Sequence, residues 1–494
     1  MDLKVRNISG SVDMLSSLPD ELLIRILCLI PTEDVVTICM LSKRMMRILP
    51  WITTLDFNDS SLSYILSVIK RFSSPFKFKT FVFGVLNAYK FPYLTRFRLR
   101  LGVTWDTQCF SDCIHQWGGC CPHLKSTEII SLISFPLSRF GLKEIDLHIQ
   151  VWKPGNTLLP SEIFTCETLQ VLKLDVNLGV NQLSTIRLPN LKLLHLRVCS
   201  ISEDGFITRL VSSSPLLEEL TVEVMYKYDR STTISLPVLR RLRLKVERWE
   251  MAGTSILVIN TPKLEYLDYT DNFALYSISN INSLVKANIK IINDFPKPEL
   301  AFRQQMPNLV HPLSNAHHLS LHGSCTTEMN IVALNTVFPS LKYLELDCSY
   351  FISWERVLLP FLKCSPVLET LVLSNGIPNN SWYPEPERVE AIIPDCCRSY
   401  LKKFVTKNYA ESEWEAEFIK FILKNALVLE ELVVYRRCLQ RSWLKVEDHK
   451  MKMESTLSNL PRASATCSIQ VQCLHKNHLW LLKKKKKTCI LPRK

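Results

Sequence analysis

Residues able to do chemistry are few and scattered in this chain of 494 residues, and the densest group is Cys109, Cys113, His115, Cys120, Cys121 and His123. Thiolates and imidazoles at such spacing can hold zinc, and Cys109 and Cys113 have the interval that a structural site uses. The adjacent Cys120 and Cys121 make a poor second pair, however. A repeat helix with small apolar thiols, followed by a loop, accounts for the same residues. Cys396-Cys397 has no histidine pair nearby, and the eleven histidines form no Ser/His/Asp or Cys/His set. His317-His318 precede a strand-like phrase and read as surface or edge residues. Only 12 glycines are present, and neither G-x-G-x-x-G nor G-x-x-x-x-G-K-[ST] occurs. H-E-x-x-H and G-x-S-x-G are missing as well. The chain therefore reads as a non-enzyme, with no catalytic residue, no metal and no cofactor expected.

If chemistry is not the task, binding is, and the elements must be built for it. At roughly 100–200 residues per domain the length suggests about three units. Hydrophobic residues make up 47% and charged residues 22%, a composition rich enough for a large core. The N-terminus lacks the apolar stretch of a secretory signal, and no apolar run approaches the ~18–20 residues that span a bilayer. Membrane partners are therefore not expected. Seventeen cysteines, odd in number and irregularly spaced, fit the reducing cytoplasm or nucleus. The net charge of +13 is misleading: eight basic residues and no acidic one lie from Lys476 to the end, and without them +5 remains. The body is not a basic surface for nucleic acid.

Leu18-Pro19-Asp20-Glu21 reads as a helix start, and Leu22, Leu23, Ile26, Leu27 and Ile30 recur at helical spacing. Pro31 ends that helix. Thr32 can cap a second, with Glu33 and Asp34 in its first turn and Val35, Val36, Ile38, Cys39 and Leu41 on its apolar face. Ser42 can cap a third, basic helix, which Pro50 terminates. Three short helices in about 40 residues cannot enclose a self-sufficient core, so apolar surface is left for a partner.

A phrase, apolar-x-x-apolar-x-apolar, then recurs. It stands at Leu142–Leu147, Leu169–Leu174, Leu191–Leu196, Leu217–Val222, Leu239–Leu244, Leu264–Tyr269, Leu341–Leu346 and Leu368–Leu373, with weaker copies at Leu284–Ile289 and His318–Leu321. Most consecutive copies begin 22 to 27 residues apart, within the leucine-rich-repeat period of about 20–29. Leu-x-Leu places both leucines on one face of a strand, and stacking many strands makes one apolar column. Beyond a Pro-rich break at 383–388, Leu401–Phe404 and Leu429–Val434 resemble strands. A helical pattern spans Glu413 to Asn425 between them.

Leu18-Pro-Asp-Glu-Leu-Leu-Ile-Arg-Ile-Leu27, Pro31-Thr-Glu-Asp-Val-Val36 and Leu41-Ser-Lys-Arg44 closely resemble the F-box of plant F-box proteins. The irregular repeats are similar to those of plant F-box/leucine-rich-repeat proteins. Leu401-Lys-Lys-Phe404, Phe418–Asn425 and Leu460-Pro-Arg-Ala-Ser464 resemble their C-terminal FBD domain. The architecture implied is α/β: a three-helix F-box over residues 14–60, an irregular solenoid of parallel strands with helices and loops over 75–380, a strand-helix-strand FBD unit over 390–468 as its cap, and a basic tail over 469–494. The resemblance implies a substrate receptor of an SCF-type ubiquitin ligase, its F-box docked on a Skp-type adaptor that bridges to a cullin, its repeats recruiting a target protein. Where the family usually has tryptophan after Ser-Lys-Arg, this chain has Met45. That departure motivates an alternative, a repeat scaffold for protein–protein interaction that assembles no ligase.

Adaptor-facing candidates are Leu18, Pro19, Leu22, Leu23, Ile26, Leu27, Ile30, Pro31, Val35 and Leu41. On the first helix, Leu22, Ile26 and Leu27 fall along one side and Leu23 and Ile30 along another. Target-facing candidates are the strand positions flanking the buried leucines, which alternation turns to the concave surface: His195, Arg197, Glu223, Arg243, Lys245, Asp268, Glu345 and Asp347, in a row with Lys173, Asp175, Thr221 and Thr270. Lys483 to Lys487 could serve as a nuclear import signal, a polyanion-binding tail or an extension without a role.

Overall fold

Proline starts both of the first two helices. α1 (Asp20–Leu27) and α2 (Thr32–Leu41) follow Pro19 and Pro31, whose φ of −58° and −55° suits entry into a first helical turn. α3 (Lys43–Ile48) runs into a 3-10 turn over Leu49–Trp51 that contains Pro50. Leu23, Leu27, Val35, Cys39, Met45, Ile48 and Ile52 form the core of this small bundle. The computed structural model describes residues 17–58, 75–101, 125–150, 157–201, 203–226, 231–248, 256–271, 275–292, 299–323, 336–347, 354–376, 393–437 and 443–474. The Cys/His group at 109–123 and the lysine run at 483–487 lie outside them.

Two units compose the chain, residues 1–203 with 213–217 and residues 204–212 with 218–494. In the first, the helices are followed by β1 (Thr54–Asn58), α4 (Pro75–Ala88), β2 (Arg96–Leu101), α5 (Ser126–Leu137), β3 (Glu144–Ile149), β4 (Val171–Val176), β5 (Gly179–Val180) and β6 (Leu193–Ile201). The strands pair in parallel in the order β1-β2-β3-β4-β6, with β5 also on β6. β1 and β2 carry the repeat phrase in disguise, as Ile52-x-x-Leu55-x-Phe57 and Leu94-x-x-Phe97-x-Leu99.

The second unit holds α6 (Phe206–Ser212), β7 (Glu219–Tyr226), β8 (Ser231–Ser235), β9 (Arg241–Arg248), β10 (Ile256–Asn260), β11 (Tyr266–Asp271), β12 (Leu275–Ser279), β13 (Lys286–Ile291), α7 (Glu299–Val310), β14 (His318–Gly323), β15 (Tyr343–Leu346), α8 (Trp354–Cys364) and β16 (Thr370–Leu373). Its C-terminal part adds α9 (Asp395–Ser399), β17 (Lys403–Tyr409), α10 (Glu413–Asn425), β18 (Glu431–Arg437), α11 (Trp443–Ser458) and β19 (Ser468–Leu474). One parallel sheet runs β7-β9-β11-β13-β14-β15-β16-β17-β18-β19, and β8-β10-β12 form a second. The faded phrases at Leu284 and His318 still yield full strands, β13 and β14. The FBD segment continues the ladder with β17 and β18. Its last strand, β19, extends past residue 468, where the sequence reading ended that segment.

The first leucine of each phrase sits in the turn before its strand, buried. Leu264 N–H, for example, donates to Thr261 O, while Glu265 and Tyr266 N–H both donate to Arg240 O of the preceding repeat. Leu220, Leu242 and Leu267 follow in register, at most 1% exposed, as one rung of the leucine column. In the C-terminal part Ser412 caps α10. Its hydroxyl accepts Glu415 N–H, and Glu415 returns by accepting the Ser412 and Ala410 N–H groups.

Two assigned caps work differently. Pro31, not Thr32, occupies the N-cap of α2, and Ser42 makes no side-chain cap bond to α3. Thr32 Oγ1 instead accepts Asp56 N–H at 2.8 Å, and Glu33 Oε1 accepts Asn58 N–H at 3.3 Å. Both N–H groups belong to β1, on the edge turned away from β2. The first turn of α2 thus satisfies a strand edge that would otherwise stand open. Glu33 is 8% exposed and its Oε2 has no partner. Burial, opposed by the backbone N–H groups, raises its carboxyl from 4.5 to about 7.

Two outcomes follow. Leu242→Asp puts an unpaired charge into the leucine column and costs about 3–5 kcal/mol. Arg243→Ala, on the opposite face, loses a half-exposed ion pair worth about 1 kcal/mol or less. Equal denaturant melts for Leu242→Asp and the parent chain would mean that the strand phase is reversed. For Glu33, the folded chain keeps its proton up to about pH 7 while the unfolded chain loses it near 4.5. The stability tied to protonated Glu33 is complete below that lower value and is lost as pH rises through 7. Glu33→Gln, which keeps an acceptor for Asn58, escapes the loss. It should match the parent at low pH and exceed it by on the order of 2 kcal/mol above neutrality, in melts recorded across that range.

Candidate functional site

Helix α1 separates its apolar residues onto two faces, but not along the division drawn from sequence. Leu23 and Leu27, one turn apart, are 1% and 3% exposed and hold the bundle together with Val35 at 2%. These three belong to the interior and are withdrawn as docking residues. Leu22 and Ile26 remain in solvent at 43% and 39%, and Leu29 extends their line at 78%. Pro19 is exposed as well, whereas Leu18, Ile30 and Pro31 are half-buried, Leu18 and Ile30 against the core. The Leu41 side chain lies outside the described residues. Met40 and Met46, exposed at 73% and 50%, add apolar surface that the sequence reading passed over. The i, i+4, i+7 spacing of Leu22, Ile26 and Leu29 was the available signal.

Arg44 ties the start of α1 to α3. Its guanidinium donates to Asp20 Oδ1 at 2.6 Å and to the Leu18 carbonyl at 2.6 Å. Met45 next to it is a core residue, 4% exposed. The methionine therefore fills the interior and leaves the outer stripe as it is.

The target-facing candidates all lie on the open face of the strands, opposite the leucine column. In the first unit His195 and Arg197 stand in register with Lys173 and Asp175. Asp175 accepts from His148 Nδ1 at 3.0 Å and faces Arg197 at 3.5 Å. Burial works against the Asp175 carboxylate, but the His148 bond and the nearby cations outweigh it and hold its pKa below the usual value. The same face carries a cluster not singled out from sequence. Arg98 reaches Asp56 at 3.0 Å, Asp146 at 3.1 Å and Glu144 at 3.6 Å, and Arg96 pairs with Glu144 at 2.9 Å. The alternation Arg96-Phe-Arg-Leu-Arg-Leu101 contained that signal.

In the second unit Glu223 stands opposite Lys245, and Arg243 donates to Asp268 at 2.9 Å. Asp347 accepts from Asn375 at 2.7 Å. Glu345 accepts from Ser374 at 2.6 Å, Lys407 at 3.0 Å and Tyr343 at 3.0 Å. Burial would raise the Glu345 carboxyl, but those three donors overcome it and bring it down to about 2. Farther along the face, Val372, Val405 and Val433 lie in register, buried with Tyr343 and Tyr435 packed against them.

Such an arrangement can bury apolar surface at one end and match charges and hydrogen bonds along the sheet. Among the described residues no three His, Cys, Asp or Glu side chains converge to hold a metal ion. Cys396 and Cys397 are buried thiols in α9. No described helix is long and apolar enough to cross a membrane.

Family models match three consecutive parts of the chain: the F-box domain at residues 15–51, the LRR repeats of FBD-associated F-box protein At5g56370 at 136–373, and FBD at 390–434. Among similar proteins of Arabidopsis thaliana, FBD-associated F-box protein At5g56380 is 30% identical over 480 residues, covering 93% of this chain and 99% of the relative. FBD-associated F-box protein At4g10400 is 27% identical, and F-box/FBD/LRR-repeat protein At4g26340 is 26% identical. Each covers 93% of this chain and 99% of its own length. With its helical bundle, its ladder of parallel repeat strands and its C-terminal segment all matched in that order, the chain belongs to the FBD-associated F-box/leucine-rich-repeat proteins.

Proposed function

We propose that the chain is the target-recognition subunit of an SCF-type ubiquitin ligase, acting in the cytoplasm or nucleus. The observation that carries this reading is the apolar line Leu22, Ile26 and Leu29, left in solvent by an F-box whose own core is filled. That line, with Pro19, Met40 and Met46, docks on a Skp-type adaptor, and the adaptor bridges to a cullin. The open face of the repeats holds a target protein. Ubiquitin transfer is the work of the partner subunits, and this chain supplies position, not catalysis.

The alternative, a repeat scaffold outside any ligase, drew its motive from Met45. Because that side chain points into the core, the departure gives no reason for the docking face to fail. One experiment separates the two readings. Leu22→Ser with Ile26→Ser removes exposed apolar contact while leaving the core alone, so circular dichroism should be unchanged. Each side chain contributes about 1 kcal/mol when covered, given its partial exposure. Adaptor affinity should then fall roughly ten- to a hundredfold in co-purification or calorimetry. Full adaptor binding by the double variant would mean that the docking face lies elsewhere. No adaptor binding by the parent chain would favour the scaffold.

A further inference from the structure

The open face of the second unit is neutralised nearly strand by strand. Arg241 pairs with Glu219 at 3.2 Å, Arg243 with Asp268 at 2.9 Å and Lys407 with Glu345 at 3.0 Å, and Lys403 pairs with Glu431. β13 breaks this pattern. Lys286 and Lys290 are exposed on its open face, and neither has an ion-pair or hydrogen-bond partner among the described residues. The neighbouring strand adds no acid, since Lys286, Asn288 and Lys290 stand in register with His318, Ser320 and His322. On the other side Asp268 is already engaged, by Arg243 and by the Asn288 side chain at 3.0 Å. His318 is stacked on Tyr343, with ring centroids 5.7 Å apart and planes 29° from parallel. Burial, Lys286 and His317 hold its imidazole below the ordinary value, so the positive field is sensed by a neighbour.

We infer that β13 and β14 form the anchoring point for an acidic segment of the target, a peptide run whose carboxylates reach Lys286 and Lys290. This rests on the reading of the chain as a target receptor. Four residues on one strand separate the Cα positions of the two lysines by about 13 Å, the backbone span of two acidic residues four apart in an extended peptide. Between them the half-buried Asn288, whose amide nitrogen is held by Asp268, leaves its side-chain oxygen for the backbone of such a segment. The lysines are separate point charges, each suited to a monoanion. No arginine fork lies between them for two-pronged capture of a phosphoryl group, which is why the source is assigned to Asp and Glu side chains.

Fluorescence anisotropy of a labelled synthetic peptide, with glutamate at every fourth position and serine or glycine between, tests the inference on the full chain. Lys483 to Lys487 are replaced by glutamine throughout, so that the basic tail does not bind the probe. Lys286→Ala with Lys290→Ala should weaken binding on the order of tenfold at low ionic strength, and the difference should shrink as salt screens it. Lys286→Arg with Lys290→Arg should retain binding. Arg240→Ala with Lys342→Ala removes the same charge from exposed pairs elsewhere in the unit and should leave binding unchanged. Undiminished binding by the alanine pair, or an equal loss in the Arg240/Lys342 control, would overturn the site. Tighter, lysine-dependent binding of the same peptide carrying phosphoserine in place of glutamate would overturn the carboxylate assignment. Adaptor co-purification is measured in parallel and should be the same for every variant. A parent chain that binds the peptide but no adaptor would refute the receptor reading and leave the anchoring point standing.

Discussion

Each repeat strand in this protein depends on its neighbour twice, through its backbone and through its leucines. Strands of four to nine residues with one apolar face have too little contact to stand alone, and their N–H and C=O groups find partners only in the adjacent strand. The turn before each strand makes the dependence tight. A buried leucine closes the turn on itself, and the next two N–H groups share one carbonyl of the preceding repeat, as Glu265 and Tyr266 do with Arg240. Register is therefore handed on from repeat to repeat, and an irregular sequence between repeats does not disturb it. The faded phrases of β13 and β14 illustrate this: Ala287 takes a leucine's place in the column, fully buried and in register with Leu267 and Leu319.

A ladder built this way has a first edge that no earlier repeat can satisfy. Here the helical bundle supplies what the missing strand would have. Thr32 and Glu33, consecutive at the start of α2, accept the outward N–H groups of Asp56 and Asn58 in β1. The helix start thereby gives up its side-chain cap, and proline at the N-cap makes that tolerable by presetting the backbone. A buried glutamate is a costly acceptor, which shows in its raised carboxyl. It reaches Asn58, however, an N–H of the same edge that Thr32 does not engage. This contact joins the helical bundle to the first strand of the ladder within the first unit.

The same register that stacks leucines on one face places the outward residues about 4.8 Å apart on the other. Like charges at that distance oppose the ladder, so carboxylates and cations interleave: Arg98 between Asp56 and Asp146, Arg243 beside Asp268. That part of the face was legible in sequence as a row, because alternation alone decides which residues point outward. The pairings were not legible, since they depend on which repeats become neighbours and on rotamers of long side chains. β1 and β2 escaped notice for a simpler reason. Isoleucine and phenylalanine stand in their phrases where a leucine template was sought. The capping role given to Thr32 failed because a helix-start signal looks the same whether its hydroxyl serves the helix or an adjoining strand.

The division of α1 shows the limit of reading a short helix by periodicity. Over eight residues, positions 22, 23, 26 and 27 form two adjacent pairs, and either pair could face inward. The choice is made by α2 and α3, whose Val35, Cys39, Met45 and Ile48 close on Leu23 and Leu27. Once those six core residues and Ile52 have met, the bundle has no further interior to offer. Leu22, Ile26 and Leu29 must then stay outside, because rotating the helix to bury them would expose Leu23 and Leu27 and separate Arg44 from Asp20 and the Leu18 carbonyl. The exposed stripe is thus a consequence of a core too small for its own helix. A protein surface of that kind is stable in water only at a cost, and covering it with an apolar partner surface recovers the cost.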